Sequence, residues 1–224
     1  QDCFDGVCEM KKLKLSQVEL DKIVSAARVD VDATIYGLGR LDSVFEAHMG
    51  KKQIWQYTLW TKMFERCYSK RSKRLNPTYV GAEVCAEWFS FGNFFEWVNK
   101  EVGYRGKPVG FDLDKDIIIK GNKRYSPDAC SLVPREVNKI LLDSAASRGD
   151  WPVGVYFYRG KGRFSASLRC DGRQKHLGYY ATAEDAFFAY KVAKERNIKA
   201  VALRHRDVLK PAVFESLMNW KIEL

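Results

Sequence analysis

The chain has 224 residues, 46% of them hydrophobic, and a formal net charge of +10. That apolar fraction can fill a core and speaks against a disordered chain, while no apolar run approaches the roughly 20 residues a bilayer span requires. A charge this positive on a small protein points to a polyanionic partner, most commonly nucleic acid, and with no visible secretory segment the expected compartment is a cytoplasm.

The first predicted element is a short amphipathic helix in LKLSQVELDKIVSAAR. There Ser16 and Glu19 form a capping box, and Leu20, Ile23, Val24 and Ala27 share one face. The following VDATIYGLGRLDSVFEAHMGKK mixes β-branched residues with Gly37 and Gly39 and reads as irregular strand and turn, so residues 1–52 form a first segment.

A firm helical stripe follows in Trp60, Met63, Phe64 and Cys67, which the spacing assigns to a core. Next comes a basic run of Lys70, Arg71, Lys73 and Arg74, with the helix-stopping Pro77 behind it. Such a run is usually a solvated loop, and in a chain this basic it is also a candidate for phosphate contact. A second aromatic helix, SFGNFFEWVNKEVG, places Phe91, Phe94, Phe95 and Val98 on one side.

Residues 111–142 read as strand, turn, strand and helix, closing a domain over 53–145, and the small and polar SAASRGDWP marks the boundary behind it. From Val153 the alternation is clear. In RFSASLR, Phe164, Ala166 and Leu168 point one way, and Arg163, Ser165, Ser167 and Arg169 the other. Asp171-Gly172 supplies a hairpin turn before QKHLGYY, and Thr182 caps a helix whose Ala186, Ala189, Tyr190 and Ala193 can cover the apolar side. A three-stranded sheet with one covering helix, over 152–200, leaves its basic face free, and 201–224 is a C-terminal extension.

Six cysteines, at 3, 8, 67, 85, 130 and 170, include no CxxC pair, which argues against a zinc finger or ribbon. A structural zinc on Cys67, Cys85 and Cys130 is the arrangement the spacing leaves. Reduced thiols, partly in cores, are the simpler reading.

The segment GVYFYRGKGRFSASLRCDGRQKHLGYYATAEDAFFAYKVAKE resembles the ethylene-response-factor (Apetala-two) type of DNA-binding domain. That resemblance implies a three-stranded antiparallel sheet entering the major groove of double-stranded DNA. Arg169 matches a base-contacting arginine of the family. Tyr156 and Tyr158 stand in place of two first-strand arginines, Ser167 in place of an acidic contact, and Gln174 and His176 in place of an Arg and a Trp. The implied DNA-facing set is Arg159, Lys161, Arg163, Ser165, Ser167, Arg169, Arg173, Gln174, Lys175 and His176.

The earlier YTLWTKMFERCY, NPTYVGAEVCAEWFSFGNFFEWV and LDKDIIIKGNKRYSPDACSLVPREVN resemble tailed-phage HNH endonucleases, which often carry the same C-terminal module. The combined likeness spans residues 36–200 and implies a homing-type enzyme acting in a bacterial cytoplasm. The fold class expected is α+β: an N-terminal helical region with a diverged ββα (HNH-like) motif, plus a small C-terminal three-stranded antiparallel sheet packed on one helix.

In an HNH site a histidine takes a proton from water while one divalent cation stabilises the developing charge. Here Asp114 and Asn138 stand where ligands for Mg²⁺ or Mn²⁺ would lie, Lys115 occupies the histidine position, and Asp116 is a second candidate base. Asn122 and Cys130 fall at the motif's middle, with turn residue and core thiol as their plainer readings. An unperturbed lysine is an ammonium at neutral pH and a poor base. His48 lies far off in sequence and is more often an ordinary surface residue. Two classes therefore stay open: a metal-dependent DNA endonuclease with a diverged site, or a catalytically silent factor that binds DNA or a host protein.

Overall fold

The computed structural model describes residues 34–42, 48–49, 52–102, 109–142 and 150–223. The helix expected at 13–28 lies outside them. The fold is α+β.

Two short hairpins begin the described chain, β1 (Thr34–Ile35) with β2 (Gly39–Arg40) and β3 (His48–Met49) with β4 (Lys52–Gln53). His48 thus sits on a strand by its backbone; its side chain lies outside the described part. Helix α1 (Trp55–Tyr68) follows, and its buried residues are Trp60, Met63, Phe64 and Cys67, the stripe the spacing predicts. They meet Trp88, Phe91, Phe94 and Val98, contributed by a 3₁₀ turn at Ala86–Phe89 and a later helix. Trp60 Nε1 donates to Trp88 O at 2.7 Å, so the buried indole N–H is satisfied inside an otherwise apolar cluster.

The basic run is a helix rather than a loop. Lys70–Leu75 form α2, because Ser69 Oγ accepts the Ser72 N–H at 3.2 Å and caps the first turn. Pro77 then ends it, opening a 3₁₀ turn at Pro77–Tyr79. Strand β5 (Glu83–Val84) leads to α3 (Phe91–Glu101), the second aromatic helix.

Residues 111–142 deliver the expected strand, strand and helix. Strand β6 (Phe111–Asp114) precedes a long loop, within which β7 (Arg124–Tyr125) pairs in parallel with β5. Strand β8 (Ser131–Pro134) then returns antiparallel to β6, with Asp114 opposite Ser131, and α4 (Arg135–Leu141) follows directly.

The C-terminal sheet has the order β11–β10–β9, from β9 (Val155–Tyr158), β10 (Arg163–Cys170) and β11 (Arg173–Tyr180). Asp171 and Gly172 both take positive φ, 50° and 76°, as the primed turn of a two-residue hairpin requires. Thr182 Oγ1 accepts the Asp185 N–H at 3.1 Å and starts α5 (Ala183–Arg204). Ala183, Ala186, Phe187 and Tyr190 seal the apolar face formed by Val155, Ala166 and Leu168.

Helix α5 does not stop at residue 200. Its second half buries Ile198, Val201 and Ala202 against Ile117, Val133 and Val137 of the ββα unit, together with Leu209, Val213 and Leu217. The last two belong to α6 (Pro211–Met218). One apolar cluster therefore crosses both expected boundaries, at 145–152 and at 200, and residues 201–224 complete a core rather than extend beyond one. A polar joint accompanies it: His205 Nε2 lies 2.7 Å from Glu136 Oε2, and Arg204 pairs with both Glu136 and Asp171.

Candidate functional site

Two places gather the residues that the sequence singles out. The first is a cavity of about 350 Å³ beside the ββα unit, lined by Asp114, Lys115, Asp116 and Asn138 with Arg66, Tyr79, Tyr125 and Trp220. Asp114 ends β6 and is 9% exposed. Its Oδ1 accepts the backbone N–H groups of Asp116 at 2.9 Å and Ile117 at 2.8 Å, which folds the chain into a turn on leaving the strand. Burial, reinforced by the neighbouring Asp116 charge, pushes the Asp114 carboxyl up to about 6, against the pull of those two N–H groups.

Lys115 is 7% exposed, and its ammonium is already engaged. Nζ lies 3.0 Å from Asp116 Oδ2 and 2.9 Å from Asn122 O, and 5.9 Å from the Tyr125 ring centroid. Asn122 braces the loop in return: Nδ2 donates to Lys115 O at 2.6 Å and to Arg124 O at 2.7 Å, while Oδ1 accepts the Arg124 N–H at 3.1 Å. A turn asparagine is what these bonds describe. Cys130 is outside the cavity, fully buried in the aromatic cluster with Cys67 and Cys85. Burial pushes all three thiols up, Cys67 to about 11. Among the described residues no three His, Cys, Asp or Glu side chains come together as a metal site.

As donors for Mg²⁺ or Mn²⁺ the cavity fits in part. Two carboxylates and a carboxamide are the oxygen ligands such ions take. Yet Asp116 is neutralised by Lys115, and Asp114 is held by its own turn. The basic helix α2 leads into the turn whose Thr78 and Tyr79 form one wall of the cavity. Lys70, Arg71 and Arg74 are exposed there, and Lys73 is half-buried.

The second place is the sheet face turned away from α5. Residues directly opposite in antiparallel strands point the same way. The register therefore puts Tyr158 with Arg163, Tyr156 and Tyr179 with Ser165, His176 with Ser167, and Gln174 with Arg169 on this outer face. Arg173 pairs with Cys170 and Lys175 with Leu168, so these two cations project from the other side, where α5 packs. Arg159 and Lys161 lie on the 3₁₀ turn joining β9 to β10.

Ser165, expected at the surface, is fully buried. His176 Nδ1 lies 3.2 Å from its Oγ, and Tyr156 and Tyr179 flank it on the neighbouring strands. Ser167 Oγ accepts from Gln174 Nε2 at 2.6 Å. Tyr179 is the residue that strict alternation hides. A β-bulge at Leu177, with Gly178 at φ +146°, shifts the phase of β11 by one residue and brings Tyr179 to the side of His176. Lys161 Nζ stands 4.1 Å over its ring, with the rings of His176 and Tyr158 centred 4.6 and 5.6 Å away.

Comparison with known proteins returned no matching family model, no matching curated protein and no matching solved structure. No helix among the described residues is long and apolar enough to cross a membrane.

Proposed function

We propose that this chain binds double-stranded DNA through the outer face of its C-terminal sheet, and that its ββα unit is a catalytically silent descendant of an HNH-type nuclease of tailed phages. The observation that carries the reading is the sheet face itself. It is open, its paired positions include Arg163 and Arg169 and no acid, and Arg159 and Lys161 stand at its edge. Cations placed so can neutralise phosphates and release counterions, which supplies most of the affinity of a sequence-independent encounter. Silence of the ββα cavity is supported by Lys115, whose ammonium is committed to Asp116 and to the loop, at the position where a base would be needed.

A nuclease reading is favoured by one specific feature: Asp114, Asp116 and Asn138 line the same cavity, so a divalent cation could meet all three. Bound there, Mg²⁺ or Mn²⁺ would supply Lewis-acid stabilisation of a phosphodiester undergoing hydrolysis. Incubating supercoiled plasmid with the full chain and either ion, beside Asp114→Ala, decides between the two. Binding in a gel-shift assay without nicking supports the silent DNA binder. Metal-dependent nicking that the substitution abolishes establishes the nuclease, and absence of any DNA binding removes both.

A further inference from the structure

The outer sheet face differs from a purely cationic groove reader in one respect: its centre is aromatic. Ser165 lies on the side away from α5 and still has no exposure, so the groups around it must lean over it and close the surface. Those neighbours are Tyr156, Tyr179 and His176, with Tyr158 one rung further along. Rings that lean over a serine turn their faces, not their edges, to solvent. Tyr156 and Tyr158 keep 45% and 42% of their surface exposed, a large apolar area for a site with no partner packed on it. Lys161 over Tyr179, with Arg163 and Arg169 on the same face, surrounds the plate with positive charge.

In closed duplex DNA the faces of the bases are used up by their neighbours in the stack, and only base edges and the backbone reach a protein. Unstacked bases offer their faces, and flat aromatic side chains inside a cationic surround are what single strands bind. We infer that the Tyr156, Tyr158, Tyr179 and His176 plate receives unstacked bases, so that single-stranded or locally opened DNA is preferred over closed duplex. This rests on the reading that the sheet face meets DNA, and it names the form of DNA that fits there.

The test uses the full chain and one fluorescein-labelled 24-nucleotide sequence in three forms: single strand, closed duplex, and duplex with a central run of mismatches. Fluorescence anisotropy should give at least tenfold tighter binding to the single strand and the mismatched duplex than to the closed one. Tyr156→Leu combined with Tyr158→Leu should erase that preference and leave closed-duplex affinity within about twofold. The double Phe substitution, which keeps the rings, should retain the preference. Equal affinity of the parent for all three forms overturns the inference and leaves duplex binding standing, as does a preference that survives the Leu pair. No binding to any form removes the underlying reading itself. Because the parent comparison alone is decisive, a Leu pair that fails to fold does not blunt the test.

Discussion

Lys115 and Asn122 hold each other across seven residues of loop: Asn122 Nδ2 donates to Lys115 O at 2.6 Å, and Lys115 Nζ donates to Asn122 O at 2.9 Å. The reciprocal bonds fix the chain between β6 and β7, and so set the wall of the cavity that Asp114 and Asp116 share. They also satisfy the ammonium and backbone carbonyls without solvent, which a half-enclosed loop needs.

Asn122→Ala should therefore destabilise the protein out of proportion to its partial exposure. The side chain makes three hydrogen bonds, two to carbonyls and one from the Arg124 N–H. At about 1 kcal/mol for a typical net hydrogen bond, with a further desolvation cost for Lys115 O, the loss is roughly 2–3 kcal/mol. Urea denaturation followed by tryptophan fluorescence measures it. A change below about 0.5 kcal/mol would show that the loop does not depend on this residue.

Asp114 makes stability depend on pH. Burial and the Asp116 charge raise its carboxyl from 3.8 to about 6 in the folded state. The folded protein thus holds this proton where the unfolded chain has released it, and the stabilising contribution is full below about pH 4 and is lost as pH rises through about 6. Its size is up to about 3 kcal/mol at neutral pH, from roughly 1.4 kcal/mol for each pH unit. Asp114→Asn keeps an acceptor for the Asp116 and Ile117 N–H groups but has no proton to lose. In EDTA, the fall in melting temperature between pH 4.5 and 7.5 should be smaller for Asp114→Asn than for the parent. Parallel curves would mean that the carboxyl titrates normally.

Much of this architecture is legible in the sequence because local patterns and tertiary packing agree. The Trp60, Met63, Phe64, Cys67 stripe, the Asp171-Gly172 turn and the Thr182 cap each form as their spacing predicts. Three things escaped. The run from Lys70 to Arg74 carries charge typical of a loop, and only the Ser69 cap reveals it as a helix. The bulge at Leu177 breaks the alternation that assigns side chains to faces, which hid Tyr179 and misplaced Arg173 and Lys175. The two-sided use of α5 was hidden because its apolar residues face a sheet in one half and helices in the other, so no single stripe runs its length.

That shared helix predicts cooperative unfolding. Ile198 is fully buried where α5 meets α4 and α6, and its truncation leaves a cavity in the cluster joining the ββα unit to the C-terminal part. Ile198→Ala should cost about 3 kcal/mol, within the range of large-to-small core substitutions. Because one helix serves both cores, tryptophan fluorescence and far-ultraviolet circular dichroism should shift to the same lower midpoint. Two separated transitions in the variant, with the fluorescence midpoint unmoved, would show that α5 does not couple them.

Arg169 tests whether the sheet face meets DNA at all. It is exposed at the hairpin end of β10, opposite Gln174, on the outer face and clear of the Asp171–Arg204 pair. Each phosphate neutralised releases condensed counterions, so log affinity falls linearly with log salt, by about 0.9 for every contact to duplex DNA. The parent should lose affinity steeply between 50 and 200 mM salt, with the number of contacts read from the slope, as expected for roughly four or more cations. Arg169→Ala should weaken binding to closed duplex at low salt and, if its partner is a phosphate, reduce that slope by about one; if its partner is a base edge, it should cost about 1–3 kcal/mol on particular sequences instead. Anisotropy titrations of the same duplex at several salt concentrations distinguish the two outcomes. Affinity and slope both unchanged in the variant would move the interface off this face, leaving α2, with Lys70, Arg71 and Arg74 exposed, as the surface to mutate next.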